Sequence, residues 1–434
     1  MSINAPRPSG NETRLDRTAV IGAGIVGSAT AWALAREGRR VLLIDRSQPA
    51  LAGASFGNAG HIATEQLEPL PSPALLLRFW RELSVFGGPL HIPARRCLAL
   101  APWMLRFLRA AFRQRHNTPA LASLVRPAAD TLDAYLTELG RRELLCRHGH
   151  DSVWLGPGSA ARAQRALRHA RSLDVRAEPA RESLLRAAAA RAGVESAAGC
   201  HFPDSAHVID PRRLADAFVA AALQAGAAFD QGEVREIFPL GNRVGIRTGE
   251  RVCSVPAAVV CAGVESAPLL ARFGLRAPLT PERGYHIELP GEPALENAPV
   301  VYADHSIVVT PMDGRLRATS YLEFQSHGAP ADPRKLERLR RRVQALGYRC
   351  AHAHAHTGWV GSRPTLPDYL PGLGRAPGEA ELFYAVGHQH LGLTLAAPSA
   401  EVIAALVAHR PARIDVRAFD LRRFGAGRGV AARA

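Results

Sequence analysis

The chain has 434 residues, 47% hydrophobic and 21% charged, with a formal charge of +15 carried almost wholly by arginine; Lys335 is the single lysine. That length holds two or three compact units, and no apolar run reaches the ~18 residues that span a membrane as a helix. Six scattered cysteines, none in a C-x-x-C pair, argue against a cysteine zinc site or a disulfide framework and fit a reducing compartment, the cytoplasm. The arginines are spread along the chain, so a solvated basic surface is favoured over a nucleic-acid groove. Residues 1–17 are polar and lack the apolar core of a signal peptide, so a disordered tail is expected there.

The first strong signal is Thr18 to Asp45. Ala19-Val20-Ile21 is a short apolar run of the kind that forms a buried parallel strand. Gly22, Gly24 and Gly27 then give G-x-G-x-x-G, and a helix of small residues runs from Gly27 to Arg36. Val41 to Ile44 reads as a second strand, closed by Asp45. Gly22 permits the tight turn, Gly24 lets a diphosphate approach the backbone, and Gly27 lets the helix pack near the sheet. The helix N-terminus favours an anion. Asp45 has the position of the acid that accepts hydrogen bonds from a ribose. The pattern specifies a dinucleotide site without separating FAD from NAD.

The segment 53–60, GASFGNAG, follows the Asp45 strand. Ser55 and Asn58, with the backbone N–H groups of Ala59 and Gly60, are expected to face the diphosphate. Residues 74–116 are apolar and arginine-rich with helical spacing. Trp103, Phe107 and Phe112 fall on one face beside Leu105 and Leu108, a pattern read as a helix packed on a core, with contact to an acidic membrane surface as the alternative. Alanine-rich helices occupy 120–192. Pro211 opens another helix, Phe229 to Ile237 reads as one strand, and Val252 to Cys261 reads as one more. Residues 275–350 carry the alternation of a mostly antiparallel sheet. His352, His354 and His356 are read as a solvent-facing strand edge, and no metal site is expected. After Leu382–Val386, a Gly-His turn leads into a helix from about Thr394, repeating the strand-to-helix geometry of the first unit.

With these four segments in order, G-x-G-x-x-G with Asp45, SFGNAG, VVCAG at 259–263 and GSRP with GHQHLGLTLA, the sequence resembles the D-amino-acid oxidase/dehydrogenase (DAO) family of FAD-dependent oxidoreductases. Ser55–Gly60 and Arg283-Gly284-Tyr285 resemble its bacterial D-amino-acid dehydrogenase branch. The resemblance implies an α/β fold: a discontinuous, Rossmann-like FAD-binding domain (18–70, 206–275, 355–410) and an α+β substrate domain on a mostly antiparallel sheet (71–205, 276–354), followed by a tail at 411–434. It implies non-covalent FAD held by Gly22, Ala23, Gly24, Ile25, Val26, Gly27, Asp45, Arg46, Ser55, Asn58, Ala59, Gly60, Val234, Ala262, Gly263, Gly387, His388, Gly392, Leu393 and Thr394.

The implied chemistry is hydride transfer from Cα of an amino or imino acid to flavin N5. Arg363 of G-S-R-P matches the family's carboxylate-binding arginine, and a guanidinium fork suits a carboxylate. Tyr285, His286 and His390 are the further candidates. D-amino acids, cyclic D-imino acids such as D-proline derivatives among them, are the expected substrates. Oxidation of glycine or sarcosine, modification of a transfer-RNA base and a flavin-bound binding protein are the alternatives. Oxygen, a quinone or an electron-transfer protein remain open as electron acceptor.

Overall fold

The computed structural model describes residues 12–49, 51–84, 88–350 and 358–425. Its centre is a six-stranded sheet in the order Ala228–Gln231, Val41–Asp45, Thr18–Ile21, Ala257–Val260, Glu381–Val386, Gly372–Arg375. The first five strands run parallel and the last is antiparallel. The Thr18–Ile21 and Ala257–Val260 strands are buried at every position, as expected of strands covered on both faces. Three helices cover one face. Ile25–Arg36 packs between Pro211–Gln224 and Ala396–Val407, and the small side chains Ala29, Ala31, Ala33 and Ala35 permit that close approach.

The second large sheet has nine strands. Its main path is Trp359–Thr365, Thr280–Pro290, Arg315–Glu323, Ile307–Met312, Val300–Tyr302, His150–Leu155, Ala197–Phe202, Glu178–Pro179. All neighbours on that path are antiparallel except Val300–Tyr302 with His150–Leu155. Helix Pro333–Ala345 packs on this sheet through Leu336, Leu339 and Val343. A three-stranded sheet of His61–Ile62, Ala206–Val208 and Leu145–Cys146 lies beside the two large ones.

Several boundaries differ from the sequence reading. Phe229–Ile237 is not one strand: Ala228–Gln231 ends at the edge of the six-stranded sheet, and Val234–Leu240 begins a separate four-stranded one. Gly232 breaks the run, its N–H donating to the Asp45 carbonyl at 2.8 Å. Val252–Cys261 likewise divides into Arg251–Val255 and Ala257–Val260, in different sheets. The expected N-terminal tail contains a strand, Glu12–Arg14, paired parallel to Arg251–Val255. The expected C-terminal tail folds back as 3-10 turns at Val416–Phe419 and Leu421–Phe424, which bury Phe419 and Leu421 completely. His352, His354 and His356 lie outside the described residues.

Helix Ala94–Ala111 divides its aromatic residues. Trp103 and Phe107 turn inward against Phe324 and Tyr369. Phe112, expected on the same face, caps the helix and is 76% exposed, and Leu105 and Leu108 are also exposed. Among the described residues no helix is long and apolar enough to cross a membrane.

Candidate active site

The glycine turn connects Thr18–Ile21 to the first helix. Gly22 has φ +104°, and a Cβ there would lie 2.5 Å from the Cys261 carbonyl oxygen. A Cβ on Gly27 would meet the Gly22 carbonyl oxygen at 1.8 Å, so the helix reaches the sheet only because both residues are glycine. Asp45 closes the neighbouring strand and is tied to the turn: Oδ2 accepts from the Ala23 N–H at 2.7 Å, and Oδ1 from the Ser47 N–H at 2.9 Å.

The turn opens into a cavity of about 1080 Å³ that runs between the two large sheets. That exceeds the ~300–1,000 Å³ of a typical small-molecule site. Gly22, Ala23, Gly24, Ile25, Val26, Asp45, Arg46, Ser55, Asn58, Ala59 and Val234 line one part. Ala262, Gly263, Gly387, His388, Gly392 and Leu393 line it beside the ends of the parallel strands, and Arg363 and His390 are also in the wall. These residues suit an elongated dinucleotide: a glycine turn, an acid at the neighbouring strand end, and room for a second, small molecule near an arginine.

Some expected residues do other work. The Ser55 hydroxyl accepts from the Ile25 N–H at 3.0 Å, which puts it on the helix N-terminus itself. The Asn58 side chain turns back to accept from the Gly60 N–H at 2.9 Å. Gly60 is outside the lining, its carbonyl bonded to Val208 N–H. Gly27 and Thr394 also lie behind the wall; Thr394 Oγ1 accepts from the Ala63 N–H at 3.1 Å. Arg46 is half-exposed and pairs with Glu265 at 2.7 Å.

Two catalytic candidates are misplaced. Tyr285 is fully buried, and its hydroxyl donates to Glu323 Oε2 at 2.7 Å within a cluster that includes Arg283 and Lys335. It does not line the cavity. His286 points to the other side of Trp359, on which it stacks at 5.1 Å, and its Nδ1 lies 2.9 Å from the Gly57 carbonyl. It lines a separate, smaller cavity. Alternation along the Thr280–Pro290 strand sends these neighbours to opposite faces, and neither side chain lines the main cavity.

Arg363 and His390 are brought together. Arg363 stands opposite Glu282 in register, and its Nη1 donates to Glu282 Oε1 at 3.3 Å and to the Tyr321 carbonyl at 3.5 Å. Glu282 is fully buried and also accepts from Tyr369 Oη at 2.7 Å and Thr365 Oγ1 at 3.3 Å. Tyr321 and Gln389, both in the cavity wall, hold the left-handed backbone at φ +70° and +47°, strain of the kind that concentrates at functional sites. His390 Nε2 bonds Gln66 Oε1 at 2.7 Å. Burial pushes His390 down to about 4 and His388 down to about 3, so both are neutral imidazoles at pH 7. Glu282, Tyr369, Tyr321 and Gln66 were missed by the sequence reading. Only Glu282 carried a usable signal, an acid two residues before the Gly-Tyr pair.

The FAD dependent oxidoreductase (DAO) family model matches residues 17–406. The chain is 30% identical to D-amino acid dehydrogenase 2 of Ralstonia nicotianae over 425 residues, 93% of this chain and 99% of the relative. It is 29% identical to D-amino-acid oxidase of Bradyrhizobium diazoefficiens over 424 residues, 94% of this chain and 98% of that one. In structure it is similar to glycine oxidase from Geobacillus kaustophilus, with TM-score 0.73 and 22% identity over 95% of this chain and 99% of the other.

Proposed function

The chain belongs to the DAO family of FAD-dependent oxidoreductases, and on that premise we propose that it oxidises D-amino acids, cyclic D-imino acids included, at the Cα–N bond. The observation that carries the reading is Arg363, a cavity-lining guanidinium braced by a fully buried glutamate. Two relatives of near-equal identity bear D-amino-acid names, which supports the stereochemical choice.

Gly22, Ala23, Gly24 and Asp45 would hold the diphosphate and ribose of FAD, Val234 the adenine, and Gly263 with Gly387–Leu393 the flavin ring, without a covalent bond. Bound FAD would supply the acceptor for the hydride that leaves Cα; water then converts an acyclic imine to a 2-oxo acid and ammonia, whereas a cyclic imino acid stops at the cyclic imine. Arg363 binds the substrate carboxylate and fixes the direction in which Cα points. Glu282, Thr365 and Tyr369 keep the guanidinium from swinging away. His390, neutral through burial, adds no positive charge against the substrate amine, and Gln66 holds its ring in place. The electrons pass on to oxygen, a quinone or an electron-transfer protein.

The test is anaerobic mixing of the flavin-loaded protein with D- and L-amino acids, D-proline derivatives, glycine and sarcosine. Bleaching of the flavin band by D-isomers is expected. Arg363→Ala should lower kcat/KM by about 10²–10³, the effect of removing one member of a desolvated charge pair. Arg363→Lys should recover little, since an ammonium lacks the planar fork. Reduction by glycine and sarcosine but by no D-isomer would replace this reading with a glycine-type oxidase.

Helices Pro73–Glu82 and Ala94–Ala111 support a second element of the proposal, contact with an anionic membrane surface. They present Leu77, Trp80, Leu98 and Phe112, all at least half exposed, among the exposed Arg78, Arg81, Arg95 and Arg109.

A further inference from the structure

Beside the main cavity three potential ligand atoms converge. His61 comes from the His61–Ile62 strand of the three-stranded sheet, Glu65 from the turn that follows, and His150 from the first position of a strand in the nine-stranded sheet. His61 Nε2 lies 4.0 Å and His150 Nδ1 3.8 Å from Glu65 Oε2. All three atoms are within 4.8 Å of one another.

These separations are too long for hydrogen bonds, which close at about 2.7–3.2 Å. Yet both ring nitrogens are buried and have no hydrogen-bond partner, and the His150 side chain is only 2% exposed. Buried polar atoms in native proteins are almost always paired. Two unpaired imidazole nitrogens facing one carboxylate oxygen form a donor set for a cation, and a two-histidine, one-carboxylate set suits zinc and its neighbours rather than calcium or magnesium.

We propose that His61, Glu65 and His150 bind one divalent transition-metal ion of zinc's class. The surrounding contacts are those that orient ligands. Ser205 Oγ donates to Glu65 Oε2 at 2.9 Å, Ser152 Oγ lies 3.5 Å from His150 Nε2, and Phe202 stacks on the His150 ring at 4.7 Å. His207, the register partner of His61, is buried with its Nδ1 also unpaired, which places another nitrogen donor next to the set. Small rotations would bring the three atoms to the ~2.0–2.2 Å of zinc ligation. The ion joins the three-stranded sheet to the nine-stranded one. It also fixes Glu65, whose neighbour Gln66 bonds His390 in the cavity wall.

The test uses flavin-loaded protein stripped with a chelator, re-equilibrated with Zn²⁺ alone, desalted and analysed for metal. The wild type should retain about one Zn²⁺ per chain, and Glu65→Gln and His150→Gln should each weaken retention by at least about tenfold. The triple variant H352A/H354A/H356A should retain the ion, separating this site from the alternating histidines near the C-terminal segment. Co²⁺ loading should give ligand-field absorption to the red of the flavin bands in the wild type and not in Glu65→Gln. Circular dichroism checks that each variant folds, and His61→Asn replaces any that does not. A wild type that retains no Zn²⁺ overturns the proposal. So does retention that survives Glu65→Gln and His150→Gln, or that disappears in the H352A/H354A/H356A triple variant.

Discussion

At Gly284 the backbone passes so near Arg363 that a Cβ would lie 2.2 Å from Nη2. The guanidinium is held at Nη1 by Glu282, so the added methyl must push it out of line rather than open the sheet. Gly284→Ala is therefore expected to raise KM for the amino acid by about tenfold or more while the protein still binds flavin, a split that steady-state kinetics and the flavin absorbance read separately. The R-G-Y segment was legible in the sequence as part of the site, but for the wrong residue. A tyrosine advertises chemistry. A glycine whose purpose is to leave room for a side chain on the neighbouring strand cannot be recognised until the register is known. Ser55 shows the same limit: its hydroxyl type was readable, and its partner, the Ile25 N–H, depends on how a later loop folds over the first turn.

At the scale of elements, the Gly387–Thr394 turn carries two buried imidazoles. Burial holds His388 at about 3 and His390 at about 4, against ~6.5 for an unfolded histidine. Between those values the unfolded chain binds more protons than the native one, so stability rises with pH. The contribution is complete above about pH 6.5 and is lost as pH falls from there toward 4. The thermal midpoint should decline over that window, and His388→Gln, which leaves an amide to meet Ser399 Oγ, should flatten the decline; an unchanged slope would reject the assignment. This turn and the Thr18–Asp45 unit were legible because local rules, glycine position and strand-then-helix order, fix them. The strands at 228–240 and 251–260 were not. Each changes sheets partway, around Gly232 and at Pro256, and which sheet each half joins is set by tertiary pairing, which leaves no periodicity to read.

Over the whole molecule, the two large sheets and the class of chemistry were readable, because the family's motifs fall in one order along the chain. Burial on the Ala94–Ala111 helix was only half readable. Helical spacing identified Trp103 and Phe107 as core, but the same spacing continues through Leu98, Leu105 and Phe112, which stay exposed. If that face meets an anionic surface, the protein should float with phosphatidylserine-containing vesicles, more weakly as salt is raised. Leu98→Glu combined with Phe112→Glu should abolish flotation without altering the flavin spectrum. Equal recovery with neutral vesicles, or none with either, would remove membrane contact from the reading.

The six-stranded sheet has a further bearing on how the protein is made. Its middle strand, Ala257–Val260, is flanked by Thr18–Ile21 on one side and Glu381–Val386 on the other, so one central strand joins two that are far apart in the chain. At ~5–20 residues per second, the glycine turn waits on the order of tens of seconds for its neighbours. Val41–Asp45 pairs one edge of Thr18–Ile21 early, while the other edge stays open until Ala257–Val260 is made. The cavity therefore gains its Gly387–Leu393 wall only once that segment has been made.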